Sequence, residues 1–216
     1  MSSDFGFAWL DRLAHDLRGP LAPLQTAAYL LRRDDLDPGR RAELLATLDR
    51  QTQRLARMLE ELDDWTRVVR QPLLAQGERC DLGLLLEYAL ASASMGDTPV
   101  EGDGSLIEVH GDQRRLTQLL RSLLGHASLG PGTPGLLLAQ DAHCARVDVR
   151  MAGPAPDPEA LAVLFEQPQQ SPHDDGLGLR LMLARAIARA HDGELTAQVE
   201  DGSLVLRLQL PLAPEA

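Results

Sequence analysis

His15 and Asp16 are adjacent in the stretch LAHDLRGPLAPL, residues 13–24, with Arg18, Gly19 and Pro20 close behind. An imidazole beside a carboxylate can act as a nucleophile: the acid orients the ring and favours the tautomer that leaves one nitrogen free. On a helix, Gly19 lies one turn after His15 on the same face. Pro20 removes a backbone donor and its ring crowds the carbonyl of Asp16, which predicts a bend there. From helix pattern alone, the pair reads sooner as an ordinary surface histidine beside an acid than as a nucleophile. The other histidines, His110, His126, His143, His173 and His191, share no ligand spacing and read as structural or surface residues. Cys80 and Cys144 match no zinc or CxxC spacing and read as reduced structural thiols. No metal site is expected.

The elements that must carry His15 are long helices. Leu10, Ala14, Leu17, Leu21, Leu24, Ala28 and Leu31 alternate steps of four and three, a heptad seam over residues 5–32. DDLDPGR, 34–40, is a turn, with Pro38 suited to the first turn of a second helix. The seam resumes over 39–70 at Leu45, Leu48, Thr52, Leu55, Leu59, Leu62, Thr66 and Val69. Two such helices make an antiparallel hairpin, which buries its stripe by pairing with a second copy into a four-helix bundle. A homodimer through residues 5–70 is therefore expected. His15, one position past Ala14, falls on the bundle's exposed shoulder. Glu43, Glu60, Glu61, Asp63 and Asp64 read as a solvated helix face, and Trp9 and Trp65 as packing near the bundle's open end.

Beyond Pro72 the pattern changes. Residues 82–94 and 112–127 read as helices, and 105–111, 135–140, 145–153 and 202–212 as strands. GLGLRLMLARAIARAHDGEL, 176–195, reads as a glycine turn, a helix and a capping Asp-Gly. The fold class is α+β: a helical hairpin, residues 1–72, then an α/β sandwich, residues 73–216.

The net charge of −11 argues against nucleic acid as a partner. All 21 positive side chains are arginine, so no role can rest on a lysine. The first residues lack the basic-then-apolar pattern of a signal peptide, and no apolar run is long enough to span a bilayer. No membrane association, a cytoplasmic location and no separate sensory domain are expected.

The stretch FAWLDRLAHDLRGPLAPLQTAAYLL resembles the H-box of bacterial two-component histidine kinases, roughly His-Asp/Glu-Leu-Arg/Lys-Asn/Thr-Pro-Leu. The likeness continues in order along almost the whole chain: residues 5–70 resemble the dimerisation and phosphoacceptor hairpin, and 80–212 the Bergerat-type ATP-binding sandwich. It implies that His15 is the phosphoacceptor and Asp16 its acid/base partner. It also implies that response-regulator receiver domains dock near Arg18, Gly19 and Leu21. Leu21, like Leu24, also falls on the seam.

At the nucleotide boxes the likeness breaks down. GDQRRLTQLLRSLLGHASL keeps Asp112, Arg115, Leu116, Gln118, Leu123, Leu124 and Ala127 of the N-box. Ser122 stands at its first Asn, His126 at the Asn that ligates Mg²⁺, and Leu129 at its Lys. Mg²⁺ prefers hard oxygen ligands. In VRMAGPA, Met151 replaces the aspartate that accepts from the adenine amino group; Gly153 is kept and Ala155 replaces the second glycine. LFEQP, 164–168, resembles the phenylalanine box. DDGLGL keeps Gly176 and Gly178, a turn into a helix N-terminus. Asp174 and Asp175 would face triphosphate charge there, each repulsion costing roughly a kcal/mol or more. The expectation is a kept sandwich without a working ATP site and with no cofactor, suited to histidine phosphotransfer between receivers. Kinases that also dephosphorylate their regulator often carry Thr or Asn where Gly19 stands, so weak phosphatase activity is expected. The alternatives are a divergent sensor kinase still using ATP and Mg²⁺, and a non-catalytic regulator of a kinase or response regulator.

Overall fold

The computed structural model describes residues 3–33, 35–70, 77–102, 104–128, 130–154, 156–169 and 176–214, with 3–11, 69 and 70 described by backbone alone. The junction expected at 72–73 and the Trp9 side chain lie outside them. In chain order the elements are α1 (Ser3–Leu30), α2 (Pro38–Arg70), β1 (Glu78–Asp81), α3 (Leu82–Ser92) and β2 (Val100–Glu101). Then come β3 (Glu108–Gly111), α4 (Gln113–Ala127), β4 (Gly135–Gln140), β5 (Cys144–Met151), α5 (Pro158–Val163), α6 (Arg180–Ala190), β6 (Glu194–Glu200) and β7 (Ser203–Pro211). Contacts divide the chain into two compact units: Met1–Asp64 with Gln169–Gly178, and Trp65–Pro168 with Leu179–Ala216.

The first unit is the hairpin. α1 runs unbroken through Pro20 and Pro23. Pro38 opens α2, and the Asp37 carboxylate accepts from Arg40 N at 2.9 Å, filling a donor that the first turn leaves open. The buried positions recur at sevens: Pro20 and Ala27 on α1, Leu44 and Met58 on α2. This stripe lies one residue before the predicted seam. Leu21, Ala28, Leu45, Thr52 and Leu59 of that seam stay exposed. A helix in a four-helix bundle has two adjacent contact stripes, and a 3–4 repeat read from sequence does not separate them. Glu61 is a correction. It is 7% exposed, not on a solvated face, because it follows Met58 by one short helical step and shares its inward side.

The second unit is the sandwich. Its five-stranded sheet has the order β2-β4-β5-β7-β6, antiparallel except for β2 against β4, and β1 pairs with β3 in a separate antiparallel ribbon. One sheet face meets α3, α4 and α6 in a leucine-rich core. Leu119, Leu120 and Leu123 of α4 and Ile187 of α6 join Val147, Leu206 and Leu208 there. The other face carries charge: Asp148 holds Arg207 through two hydrogen bonds of 2.9 and 2.8 Å, and Arg207 reaches Glu200. Burial pushes the Cys80 thiol up from its ordinary pKa.

His191 ties the layers together. Its Nδ1–H donates to Ile187 O at 2.8 Å, and its Nε2 accepts from Asp112 N at 3.1 Å. The carbonyl can only accept and the amide only donate, so the tautomer is set. An added Cβ on Gly111 would lie 2.4 Å from the His191 ring, so only glycine allows this approach. Trp65, half-buried, is the first residue of this unit, in α2 directly after Asp64. The strand β6 was not expected: ELTAQVE has little β-branched content and follows a helix-capping Asp-Gly, yet Leu195 and Ala197 pair opposite Leu208 and Leu206.

Candidate functional site

His15 stands at mid-α1 with its side chain 86% exposed. Its Nδ1 lies 3.3 Å from Asp16 Oδ1. A carboxylate only accepts, so in the neutral ring this contact favours the proton on Nδ1 and leaves the lone pair on Nε2. Among the described residues Nε2 has no hydrogen-bond partner. The other carboxylate oxygen, Oδ2, faces Arg12 Nε at 3.4 Å, one turn earlier. Arg12 Nη2 also donates to the Gln169 carbonyl. Arg18 and Gly19 are exposed on the turn after His15, and Leu21 is 43% exposed beside them. His15, Arg18, Gly19 and Leu21 are therefore together on open helix surface, with Asp16 half-buried beside them and Pro20 turned inward. The arrangement can present an unhindered, oriented imidazole to an incoming electrophile.

The positions of the nucleotide boxes are separated by unit. Ser122, His126, Met151 and Gly153 belong to the sandwich, while Gly176 and Gly178 cluster with the hairpin. Ser122 is buried, and its hydroxyl donates to Gln118 O at 2.9 Å, one turn back in α4. His126 is half-buried in the last turn of that helix. Met151 ends β5 and packs against the core. A thioether offers only a weak acceptor to an adenine amino group. Gly153 is left-handed at φ +120°, with Pro131 against the place of its missing Cβ. Asp174, Asp175, His173, Leu129 and Ala155 lie outside the described residues.

Gly178 is also left-handed, at φ +75°, and an added Cβ would sit 2.6 Å from Gln169 O. Gln169 N donates to Gly178 O at 3.1 Å, closing the backbone there. Beside it, Leu177 N donates to Glu61 Oε2 at 3.0 Å. Glu61 and Arg12 are the residues that sequence reasoning missed. A run of acids masks Glu61, and only its spacing from Met58 marks it as inward.

Two family models match the chain. Residues 8–70 match the His Kinase A phospho-acceptor domain, and residues 111–214 match the histidine kinase-, DNA gyrase B- and HSP90-like ATPase. Sensor histidine kinase TrcS of Mycobacterium tuberculosis is 31% identical over 92% of this chain and 42% of its own length. Sensory histidine kinase/phosphatase NtrB of Rhodobacter capsulatus is 30% identical over 95% of this chain and 62% of its own. This chain thus spans about half the length of the curated relatives it matches. The fold also matches histidine kinase AdeS of Acinetobacter baumannii, with TM-score 0.72, 21% identity, and 93% of this chain and 98% of that one covered. Histidine kinase ThkA, solved in complex with response regulator protein TrrA, matches with TM-score 0.77, 20% identity, and 95% and 61% covered. An exposed histidine on a helical hairpin, followed by an ATPase-type sandwich, agrees with both family models along the chain, which belongs to the two-component histidine kinase family.

Proposed function

We propose that this chain is a phosphotransfer protein of a two-component relay, carrying a phosphoryl group on His15 between response-regulator receiver aspartates. The observation that carries this reading is His15 itself: open to solvent, with Nδ1 turned to Asp16 and Nε2 outward. In the transfer, the Nε2 lone pair forms the N–P bond while the P–O bond of the receiver's aspartyl phosphate breaks. The receiver carboxylate leaves with the electron pair. Asp16 accepts from Nδ1–H and stabilises the positive charge that grows on the ring. Transfer to a second receiver is the reverse step. The chain acts as a homodimer, with the exposed seam residues of the hairpin as its interface.

The nucleotide positions do not fit Mg-ATP. Met151 offers adenine only a weak thioether acceptor in place of a carboxylate, the short Ser122 side chain is buried and turned back to Gln118 O, and His126 offers nitrogen where Mg²⁺ prefers oxygen. Phosphate therefore comes from a receiver rather than from this chain's own sandwich. The match of residues 111–214 to the ATPase model favours a second reading, a divergent kinase that still uses ATP and Mg²⁺.

Two incubations of one preparation decide between them. With a phosphorylated receiver, label is expected on the chain and is expected to vanish in His15→Ala. With labelled ATP and Mg²⁺ or Mn²⁺, no label is expected. Label from ATP on His15 would establish the kinase reading, and no label from any cognate receiver would sink the relay.

A further inference from the structure

The His15–Asp16 pair is held from behind. Asp16 divides its carboxylate, with Oδ1 toward His15 and Oδ2 toward Arg12. Arg12 in turn donates to the main-chain carbonyl of Gln169. That carbonyl is itself constrained. Gln169 N donates to Gly178 O at 3.1 Å, and Gly178 tolerates no Cβ there. The neighbouring Leu177 N donates to the buried Glu61 on α2 at 3.0 Å. All these residues belong to the first compact unit. One closed backbone pair, Gln169 with Gly178, is therefore pinned to α1 through Arg12 and to α2 through Glu61.

We infer that Arg12 is a positioning residue for His15, and that the Gln169–Gly178 pair is its anchor. The inference rests on the phosphoacceptor reading of His15. A half-buried carboxylate such as Asp16 still turns about its side-chain bonds unless a partner holds it. A guanidinium is a planar fork with five donors, so it engages a carboxylate and a carbonyl at once. Held at Oδ2, Asp16 keeps Oδ1 on His15 Nδ1, and the ring keeps its Nε2 lone pair outward. A lysine at position 12 has the charge and lacks the fork. Glu61 acts on His15 without touching it: releasing Leu177 loosens Gln169, and with it the hold of that carbonyl on Arg12.

The tautomer of His15 reports this directly. Nitrogen-15 NMR of the full chain, histidine-labelled and above pH 8, gives the ratio of the Nδ1–H to the Nε2–H form. The His15 signals are identified by their loss in His15→Ala. In wild type the Nδ1–H form is expected to dominate. Arg12→Ala is expected to lower the ratio roughly fivefold, the weight of one modest hydrogen bond, with Arg12→Lys in between. Glu61→Ala is expected to lower it too, and Glu61→Gln, which keeps an oxygen on Leu177 N, to restore it. If Glu61→Ala does not fold, Gln169→Pro removes the donor to Gly178 and takes its place. An unchanged ratio in Arg12→Ala overturns the positioning role. A ratio that moves with Arg12 and with neither anchor variant overturns the anchor. The readout needs no phosphate donor, so failed transfer by the wild type would sink the relay and leave this measurement standing.

Discussion

Gly19 lies one turn after His15, and an added Cβ would meet no atom within 4 Å. The position accepts a side chain. Gly19→Ala is expected to raise stability by up to about 1 kcal/mol in urea unfolding, because glycine loses the most backbone freedom in a helix. Gly19→Asn places an amide beside His15, where under the proposed relay it can hold a water against a phosphorylated receiver. The expected outcome is a receiver phosphate that decays at least about tenfold faster than with wild type; an unchanged half-life would show that more than this side chain is missing. His15, Asp16 and Gly19 stand out in the sequence because they fall within little more than one turn of one helix. Met151 and Ser122 were legible by their places in ordered boxes. Arg12 was not. It reads as an ordinary helix neighbour of Asp16, and its hydrogen bond to Gln169 comes from a segment far along the chain that no local pattern brings near.

At the scale of elements, the hairpin has more apolar surface than it covers. Leu45 is 49% exposed and Leu59 is 55% exposed. Together with Thr52 they repeat every seven residues along α2, beside the buried Leu44 and Met58. In the proposed homodimer, this is the stripe that a second copy covers. Burying one leucine contributes roughly 1.5–3 kcal/mol, and a two-fold interface counts each site twice. Leu59→Glu is therefore expected to weaken the dimer by about 100-fold or more, read by sedimentation equilibrium, with helix content by circular dichroism unchanged. A variant that stays dimeric at wild-type concentrations would move the interface elsewhere. The seam period was plain in the sequence, but its phase was not, since Leu44 and Leu45 are both leucine and only packing separates them. The strand β6 was hidden for another reason: its pairing with β7 comes from tertiary context, which outweighs the weak strand propensity of ELTAQVE.

At the scale of the whole molecule, sequence order alone carried the architecture, because a long helical repeat and a mixed sandwich differ in period and composition. Whether the sandwich binds nucleotide is a property of the intact chain and can be read by thermal unfolding. A ligand at 100 times its Kd adds about 2.7 kcal/mol, which moves the melting temperature of a chain this size by several degrees. At millimolar Mg-ATP the expected shift is under about one degree; a shift of several degrees would restore the sandwich as a nucleotide site. One feature of the fold also sets how the molecule meets small electrophiles. His191 has both ring nitrogens engaged and is 4% exposed, whereas His15 is open to solvent. With no lysine in the chain, no side-chain amine competes with the imidazoles. Diethyl pyrocarbonate is expected to acylate His15 early and His191 only on unfolding, as followed by peptide mass. The hydrogen-bonded His191 between α6 and α4 thus gives any footprint of His15 its own internal blank.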